Sequence, residues 1–391
     1  MKKERQINLI ERVVGAANKT LDEMPSVNHR IDVKRYFETD ELILEQKAIF
    51  RKVPTIVAHV TEVAEPGNYV TEEIDGVPLI ILRDHSGELR VLVNACRHRG
   101  ARLLQGEKGQ CKRLLVCPYH AWSFKLDGSL AAVPEKELFG DEDFSKLNLV
   151  PVQFAQKHGF IWVVIDGDPD EPLDVDGFLG ESIVSDLEGF EFAGQVMHKR
   201  VALQNECNWK LVMDAFAEGY HLKTLHKNSL SRFFLDASIY DDCYPHTRQM
   251  GGRKTLTEEI KKDPEQWDLR LNTTLFYNIF PNTILVFHPH WISQMSLFPV
   301  GADQMRVVHR MLVPEAPAND EVAAKLDASF EHIQGTVFEK EDLAISVDIQ
   351  KTLRSGANDH FVVGGYEEGV RIFHQARDEF IQRYLKAENN A

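Results

Sequence analysis

The chain contains 391 residues, of which 43% are hydrophobic and 27% are charged, and this length suffices for two domains that each bury a core. Its formal net charge of -15 argues against nucleic acids and anionic membranes as partners, because binding them requires clustered Lys and Arg side chains. The five cysteines are too few for the disulfide framework of a small secreted protein and favour a reducing cytoplasm.

The first predicted element is an amphipathic helix near the N-terminus. Its apolar residues recur at the helical spacing Ile7, Ile10, Val14, Ala17 and Leu21. No uninterrupted apolar run of the kind found in signal peptides is present there. We expect residues 1–45 to form a helical segment that packs on the C-terminal domain.

Residues 46–166 are predicted to form a domain of small antiparallel sheets. Short apolar runs, such as 79–82 and 91–93, alternate with turn signals. A polar, proline-containing stretch at 166–172 then follows an apolar run and marks the predicted domain boundary. The remaining residues, 167–391, form the second predicted domain.

The second domain mixes helices with antiparallel strands, so the predicted fold class is α+β. Strands are predicted around 283–287, 294–297 and 305–312, and a helix around 209–225. Helical periodicity then predicts a long helix over 320–354 and another over 366–385, joined by a hinge at Gly364 and Gly365.

Two cysteine and histidine pairs form the first candidate site. Cys96 and His98 make a C-x-H motif, and Cys117 and His120 make a C-x-x-H motif. A Rieske cluster takes two thiolates on one iron and two imidazoles on the other. The alternative is a zinc site, but zinc fingers usually pair cysteine with cysteine and histidine with histidine. One donor of each kind in each half therefore favours a Rieske [2Fe-2S] cluster.

A second candidate site lies in the predicted helix over 209–225. Helical spacing places Asp214, Glu218 and His221 on one stripe, whereas His226 lies about 140° away from His221 on an ideal helix. If both imidazoles bind one metal ion, the helix must widen or end between them. The alternative is two unrelated histidines near a helix end.

Asp342 is the candidate for a third metal ligand. It shares a predicted buried stripe with Phe338, Ile345 and Ile349, where an unpaired carboxylate would be costly. Glu341, beside it, is expected to point to solvent. Two histidines and one carboxylate leave open positions on a ferrous ion that activates O₂. The alternative is that the edge of the stripe is exposed and Asp342 is hydrated.

These motifs together resemble the α subunit of aromatic-ring-hydroxylating Rieske oxygenases. The resemblance implies that Cys96, His98, Cys117 and His120 bind the cluster, and that His221, His226 and Asp342 bind a mononuclear iron. It implies that Glu218 bridges, by hydrogen bonds, His221 and a cluster histidine of an adjacent subunit in a homotrimer, with or without a β subunit. The implied fold is a β-rich Rieske domain plus a helix-grip (Bet v 1/START-like) catalytic domain whose antiparallel sheet wraps a long helix.

Two positions depart from the family pattern. Ala121 replaces the glycine that usually follows the second cluster histidine, so a positive φ there would cost energy. Glu218 stands where ring dioxygenases more often have Asp, and Glu is common in branches that act on other substrates, including quaternary ammonium compounds. The second departure weakens the transfer of a ring-dihydroxylating activity.

The resemblance implies an oxygenase that uses O₂ to hydroxylate an apolar, aromatic or alicyclic substrate. The alternative is a monooxygenase that demethylates oxygen or nitrogen or oxidises a quaternary ammonium compound; a third is an electron carrier without oxygenase chemistry. No nicotinamide or flavin fingerprint is present, so a separate reductase, with or without a ferredoxin, is expected. No more than about half of the following aromatic residues are expected to line the substrate pocket: Phe233, Phe234, Tyr240, Phe276, Tyr277, Phe280 and Phe287.

Overall fold

The computed structural model describes residues 1–19 and 28–390 and divides into two compact units. One unit is Phe50–Phe178, and the other combines Met1–Ile49 with Leu179–Ala391. Across the described ranges, no helix is both long enough and apolar enough to cross a membrane.

The N-terminal segment begins with helix α1 (Lys3–Ala17). Its buried face differs from the predicted stripe: Val14 is half-buried and Ala17 is exposed, and Leu21 lies outside the described residues. The fully buried residues of the helix are Leu9, Ile10 and Val13. The segment continues with strand β1 (His29–Asp32), helix α2 (Thr39–Glu45) and a π-helical turn (Gln46–Phe50).

The Phe50–Phe178 unit consists of small antiparallel sheets, as the alternation of apolar runs and turns predicts. Its strands are β2 (Thr55–His59), β3 (Asn68–Ile74), β4 (Val77–Arg83), β5 (Leu89–Val93), β6 (Lys108–Gln110), β7 (Leu115–Val116), β8 (Ser123–Phe124), β9 (Leu130–Ala132), β10 (Gln153–Lys157) and β11 (Phe160–Val164). The sheets have the orders β5-β4-β3-β6, β7-β8-β9 and β10-β11-β2.

The end of this unit lies beyond the boundary predicted at 166. The segment that follows β11 folds back on the unit, where Gln153 Nε2 donates to the carbonyl oxygen of Glu171 at 3.0 Å. His158 Nε2 lies 2.7 Å from Asp176 Oδ1. These contacts explain why the compact unit extends to Phe178, since the Asp- and Pro-rich stretch is a surface loop of the unit and not a linker.

The Leu179–Ala391 part is built on one continuous antiparallel sheet. Its strands are β12 (Val196–Asn205), β13 (Phe234–Cys243), β14 (His246–Arg253), β15 (Thr273–Ile279), β16 (Thr283–Phe287), β17 (Ile292–Gly301) and β18 (Gln304–Val313), in the order β12-β18-β17-β16-β15-β14-β13. The helices are α3 (Val175–Gly189, which begins in the other unit), α4 (Trp209–Phe216), α5 (Leu256–Glu259), α6 (Leu269–Asn272), α7 (Asp320–Glu331), α8 (Ala344–Thr352) and α9 (Glu368–Glu388). This mixture confirms the predicted α+β class.

A long helix packs on this sheet and carries Asp342. It runs from α7 through a π-helical stretch, His332–Leu343, into α8, close to the predicted range of 320–354. Phe330 of α7 packs in one apolar cluster with Trp291 and Met311 of the sheet side. Trp291 Nε1 also donates to Ser329 Oγ at 3.0 Å, which fixes the helix against the strand connection.

A short strand that was not predicted from the sequence lies just before the predicted glycine hinge between the last two helices. Strand β19 (His360–Val363) pairs antiparallel with β1, with His29 opposite Val363. The partner strand lies near the other end of the chain. Local periodicity carries no information on so distant a pairing, and the strand is too short to show a pattern of its own.

A buried charge cluster ties α2, α4 and α9 together. Glu45 is fully buried and accepts hydrogen bonds from Lys210 Nζ at 2.9 Å and Arg377 Nε at 2.6 Å. Trp209 Nε1 donates to the same carboxylate at 3.1 Å. Although burial alone raises the pKa of Glu45, the two cations outweigh burial and lower it. Glu45 is thus the ion-pair partner of Lys210 and one of three carboxylates that pair with Arg377.

Replacing Glu45 by Gln is expected to lower the free energy of unfolding by about 3–5 kcal/mol, because Lys210 would stay buried without its ion-pair partner and Arg377 would keep only Glu41 and Asp378. Because the pKa of Glu45 is lowered on folding, the carboxylate stabilises the fold above the ordinary Glu pKa, and this contribution is lost as pH falls. Urea unfolding should show a difference in the free energy of unfolding between the wild type and Glu45→Gln that is larger at neutral pH than at acid pH. Glu321→Gln, at an exposed helical pair with Lys325, is the control and should change little. Equal effects of both variants would contradict the prediction.

Candidate metal centres

Two loops of the Phe50–Phe178 unit carry the predicted cluster donors and close with the same backbone pattern. In the first, the carbonyl oxygen of Cys96 accepts from the Gly100 N–H at 2.9 Å, and the Cys96 N–H donates to the carbonyl oxygen of Ala101 at 2.8 Å. In the second, the carbonyl oxygen of Cys117 accepts from the Ala121 N–H at 3.0 Å, and the Cys117 N–H donates to the carbonyl oxygen of Trp122 at 2.8 Å. The short spacings C-x-H and C-x-x-H thus place each histidine inside a turn that its own cysteine closes.

The shared pattern explains the backbone of Ala121. Gly100 and Ala121 occupy equivalent positions four residues after each cysteine, and both have a positive φ, of 79° and 57°. A glycine adopts this conformation without steric cost, whereas an alanine does not. The energetic cost foreseen for a positive φ at Ala121 is therefore present in the structure.

The four donors converge with the thiols inside and the imidazoles outside. Cys96 and Cys117 are each 3% exposed, and the half-buried His98 and His120 bring their Nδ1 atoms within 3.1 Å of each other. Burial, assisted by the neighbouring Cys117, raises the pKa of Cys96, so its thiolate requires a nearby positive charge. Two buried thiols and two facing imidazole nitrogens fit the donor set of a Rieske cluster.

Aromatic rings hold the outer donors in place. The ring of His98 stacks on Trp122 with centroids 4.9 Å apart and planes at 8°, and Phe139 contacts its edge. Cys111 takes no part, because its Sγ donates instead to the carbonyl oxygen of Leu114 at 3.1 Å.

The helix predicted over 209–225 is shorter in the structure, and this corrects the predicted stripe. Helix α4 ends at Phe216, so Glu218 and His221 lie beyond it, the latter in a 3₁₀ turn, Tyr220–Lys223. Helix α9 crosses the end of α4 so closely that a Cβ on Gly369 would lie 2.3 Å from the carbonyl oxygen of Ala217. The Glu218 carboxylate accepts from the first N–H groups of the new turn and caps it.

Both histidines of this loop present the same ring nitrogen to Asp342. His221 Nδ1 is hydrogen-bonded to Glu218 Oε1, and His226 Nδ1 lies 2.7 Å from Glu341 Oε2. The opposite nitrogens, Nε2, lie 3.8 Å and 3.1 Å from Asp342 Oδ1. One donor atom from each of His221, His226 and Asp342 lies within 4.8 Å of the others. The structure thus brings together the three predicted ligands.

The burial of Asp342 indicates what this arrangement is built to hold. Its side chain is 4% exposed, and Oδ1 accepts no hydrogen bond of suitable geometry from the described residues. Burial alone lowers the pKa of His226, but the adjacent Asp342 and Glu341 carboxylates outweigh burial and raise it. A divalent cation satisfies the buried carboxylate and lets the imidazoles remain neutral, so the residues fit a ferrous ion held by two histidines and one carboxylate.

Two sequence-based expectations about this helix are wrong. Glu341 does not point to solvent, since it accepts from Ser229 Oγ at 2.6 Å besides contacting His226. Ile345 is 41% exposed, whereas Ser346 is buried in its place. The cause is the π-helical stretch that ends at Leu343, because its wider turns rotate the faces away from the α-helical stripe. The spacing of an ideal α-helix could not reveal Glu341.

A cavity of about 650 Å³ opens onto His221, His226 and Asp342. Phe216, Phe338 and Trp291 contribute apolar walls. Of the aromatic residues proposed from the sequence, those that line the cavity are Phe233, Phe234 and Phe276. Tyr277 and Phe287 are buried in the core instead, since their strands direct alternate side chains to opposite faces of the sheet, and Phe280 is buried in the connection after β15.

Comparison with known proteins agrees with this geometry. The family described as "Ring hydroxylating alpha subunit (catalytic domain)" matches residues 192–383, and "Rieske [2Fe-2S] domain" matches residues 53–144. These matches confirm the predicted cofactors, a [2Fe-2S] cluster and a mononuclear iron, over the zinc alternative.

Individual relatives extend over most of the chain. It is 30% identical to the carnitine monooxygenase oxygenase subunit of Escherichia coli over 337 residues, which is 83% of this chain and 84% of the relative. It is 29% identical to the chloroplastic choline monooxygenase of Beta vulgaris over 350 residues, or 86% and 74% of the two chains. The fold is similar to that of naphthalene 1,2-dioxygenase from Rhodococcus sp., with a TM-score of 0.75, 21% identity and coverage of 96% and 98%.

Replacing Ala121 by Gly is expected to stabilise the Phe50–Phe178 unit by about 0.5–1 kcal/mol, because relief of the positive φ exceeds the added freedom of the unfolded chain. Thermal loss of cluster absorbance in the full-length holoprotein measures the effect. Ala132→Gly, in strand β9 of the same unit, is the matched control and should destabilise it. A lower midpoint for Ala121→Gly than for the wild type would contradict the explanation.

Replacing Glu341 by Gln is expected to weaken iron binding by roughly 10- to 100-fold, because the carboxylate that orients His226 is lost. Chelator competition on the full chain measures this affinity independently of activity. Glu339→Gln, at an exposed neighbour, should bind iron like the wild type, and Asp342→Ala should lose the mononuclear iron while the cluster spectrum persists. Wild-type iron affinity in Glu341→Gln would refute the assigned role.

Proposed function

The chain belongs to the Rieske non-haem iron oxygenases, and from this premise we propose that it is the oxygenase component of a monooxygenase that acts on a quaternary ammonium compound. Enzymes of this family are oxidoreductases that incorporate molecular oxygen, with electrons supplied by a reductase or a ferredoxin. The observation that carries the proposal is the 30% identity to a carnitine monooxygenase subunit over 84% of that relative's length.

The comparisons favour the alternative interpretation of the sequence over hydroxylation of an apolar aromatic or alicyclic compound. Relatives named for carnitine and for choline share a trimethylammonium group in their substrates. The likeness to naphthalene 1,2-dioxygenase concerns the fold, which hosts both chemistries. The Glu at position 218 agrees with the same branch of the family.

The cavity offers suitable contacts for a quaternary ammonium group. Its walls carry the rings of Phe216, Phe233 and Phe276, and aromatic faces attract such cations. At the metal end, the carboxylates of Asp342 and Glu218 also line the cavity. A permanent cation flanked by apolar methyl groups suits these aromatic walls.

In this proposal, His221, His226 and Asp342 hold the iron, and Cys96, His98, Cys117 and His120 hold the cluster. When bound, the two metal groups supply O₂ chemistry and single electrons respectively. Glu218 and Glu341 orient the two imidazoles through their Nδ1 atoms, and the apolar walls exclude water from the substrate. In the overall reaction one oxygen atom enters a substrate C–H bond and the other leaves as water, with two electrons and two protons consumed.

The proposal also covers the oligomeric state of the protein and its cellular compartment. We expect a homotrimer, with or without a β subunit, in which Glu218 also contacts a cluster histidine of the adjacent subunit, as the family resemblance implies. All five cysteines lie in the described residues without a disulfide, which supports a reducing, cytoplasmic environment.

A single-turnover experiment tests the function without knowledge of the natural reductase. The holoenzyme is chemically reduced without air, mixed with carnitine, glycine betaine, choline or naphthalene, and exposed to O₂. We expect a stoichiometric product from at least one trimethylammonium compound and none from naphthalene. Asp342→Ala, with the cluster intact, should give no product. Oxidation of naphthalene together with no product from any trimethylammonium compound would refute the proposal.

A further inference from the structure

Two arginines line the cavity, and of these Arg232 is exposed to solvent whereas Arg253 is half-buried. Arg253, the last residue of β14, is half-buried and lines the same cavity as His221 and Asp342. Its Nε donates to Thr274 Oγ1 at 3.2 Å, and its guanidinium carbon lies 5.3 Å from the centroid of the Phe234 ring. Within residues 1–19 and 28–390, no carboxylate forms an ion pair with it.

Arg248 and Arg377 of the same unit show the alternative arrangement, in which a buried guanidinium pairs with carboxylates. Arg248, on the same strand, pairs with Asp186 and, at 2.6 Å, with Asp241, and Arg377 pairs with Glu45. Burial without a compensating acid lowers the pKa of Arg253, whereas the acids around Arg248 raise the pKa of that residue despite burial. A partly desolvated guanidinium without a partner is costly, and a ligand anion would remove that cost.

A second guanidinium, that of Arg270, lies near the same wall. The wall includes His288, whose pKa is lowered by burial and by the neighbouring Arg253, His309 and Arg270. Arg270 donates to backbone carbonyl oxygens, at 2.8 Å and 3.0 Å, and makes no ion pair with a described carboxylate. This wall of the cavity therefore repels a cation and attracts an anion.

The acidic groups of the cavity belong to its metal end. Asp342 and Glu218 line it there, and Glu341 lies behind His226. Burial alone shifts the pKa of Arg253, and neither Asp342 nor Glu218 contributes, so Arg253 lies apart from these acids in the wall. A ligand with opposite charges at its two ends would match this distribution.

We propose that Arg253 binds the carboxylate of a zwitterionic substrate that carries a trimethylammonium group at its other end. The inference rests on the proposed function and narrows it, because it selects carboxylate-bearing betaines over the alcohol choline. The Nη1 and Nη2 groups of Arg253 make no hydrogen bond with the described residues and form the planar fork that carboxylates bind. Arg253 is thus assigned as a specificity-determining residue.

The test compares γ-butyrobetaine with its methyl ester, which lacks the negative charge. Binding of each to the holoenzyme is measured by calorimetry. The wild type is expected to bind the acid roughly 10- to 150-fold more tightly than the ester, the range for charge-assisted hydrogen bonds. Arg253→Gln should abolish this preference while changing the affinity for the ester less than twofold, and Arg253→Lys should retain part of it.

A matched control is Arg306→Gln, because Arg306 also stacks on a phenylalanine of the sheet, 4.9 Å from the Phe298 centroid, and is outside the cavity. It should keep the full preference for the acid. An unchanged acid-to-ester ratio in Arg253→Gln would overturn the subsite, even where the enzyme oxidises γ-butyrobetaine.

Failure of the proposed function gives a different result. If the wild type neither binds nor oxidises either trimethylammonium compound, the same comparison is made with the isostere in which a tert-butyl group replaces the trimethylammonium. A preference for its carboxylate over its methyl ester that depends on Arg253 would retain the anion subsite on its own. Absence of that preference in the wild type would overturn the subsite as well.

Discussion

Glu218 and Glu341 each contact the Nδ1 atom of one histidine, and this pairing fixes which nitrogen of each ring faces Asp342. An imidazole can rotate and can present either nitrogen, so a histidine pair alone does not define a metal site. Glu218 is local to His221, whereas Glu341 comes from a distant helix. The site therefore forms when the loop after α4 and the π-helical stretch pack together, and its chemistry depends on that contact.

The same dependence explains the architecture around the site. The sheet gives the long helix an apolar surface, through Phe330, Trp291 and Met311, and the helix in turn delivers Asp342 to the loop. The buried cluster around Glu45 joins α4 to α2 and α9. These contacts hold α4 in place, and with it the start of the loop that carries His221 and His226. This packing produces a cavity whose wall combines side chains from several strands and helices. Its charged groups of opposite sign therefore come from distant parts of the sequence.

The cluster loops solve a simpler problem by local means. Each cysteine closes its own turn through two backbone hydrogen bonds, so the positions of Cys96 and Cys117 relative to their histidines depend on a few neighbouring residues. The spacing alone could therefore predict the cluster, and the match to the Rieske domain family confirms it. The second loop departs from this pattern in one respect: Ala121 has a strained backbone with positive φ at the position where the first loop has Gly100. The assignment of individual ligands stays a prediction at both centres.

The sequence by itself determined the α+β class, the two kinds of iron centre and the candidate ligands, because hydrophobic periodicity and donor spacing are local properties of a chain. Only the tertiary structure decided that α4 ends at Phe216, that Glu341 supports His226, and that Arg253 borders the cavity with no ion pair to a carboxylate of the described residues. Those features follow from contacts between residues far apart in sequence. Close approach at Gly369, the π-helical widening before Leu343 and the absence of a partner acid leave no periodic signal.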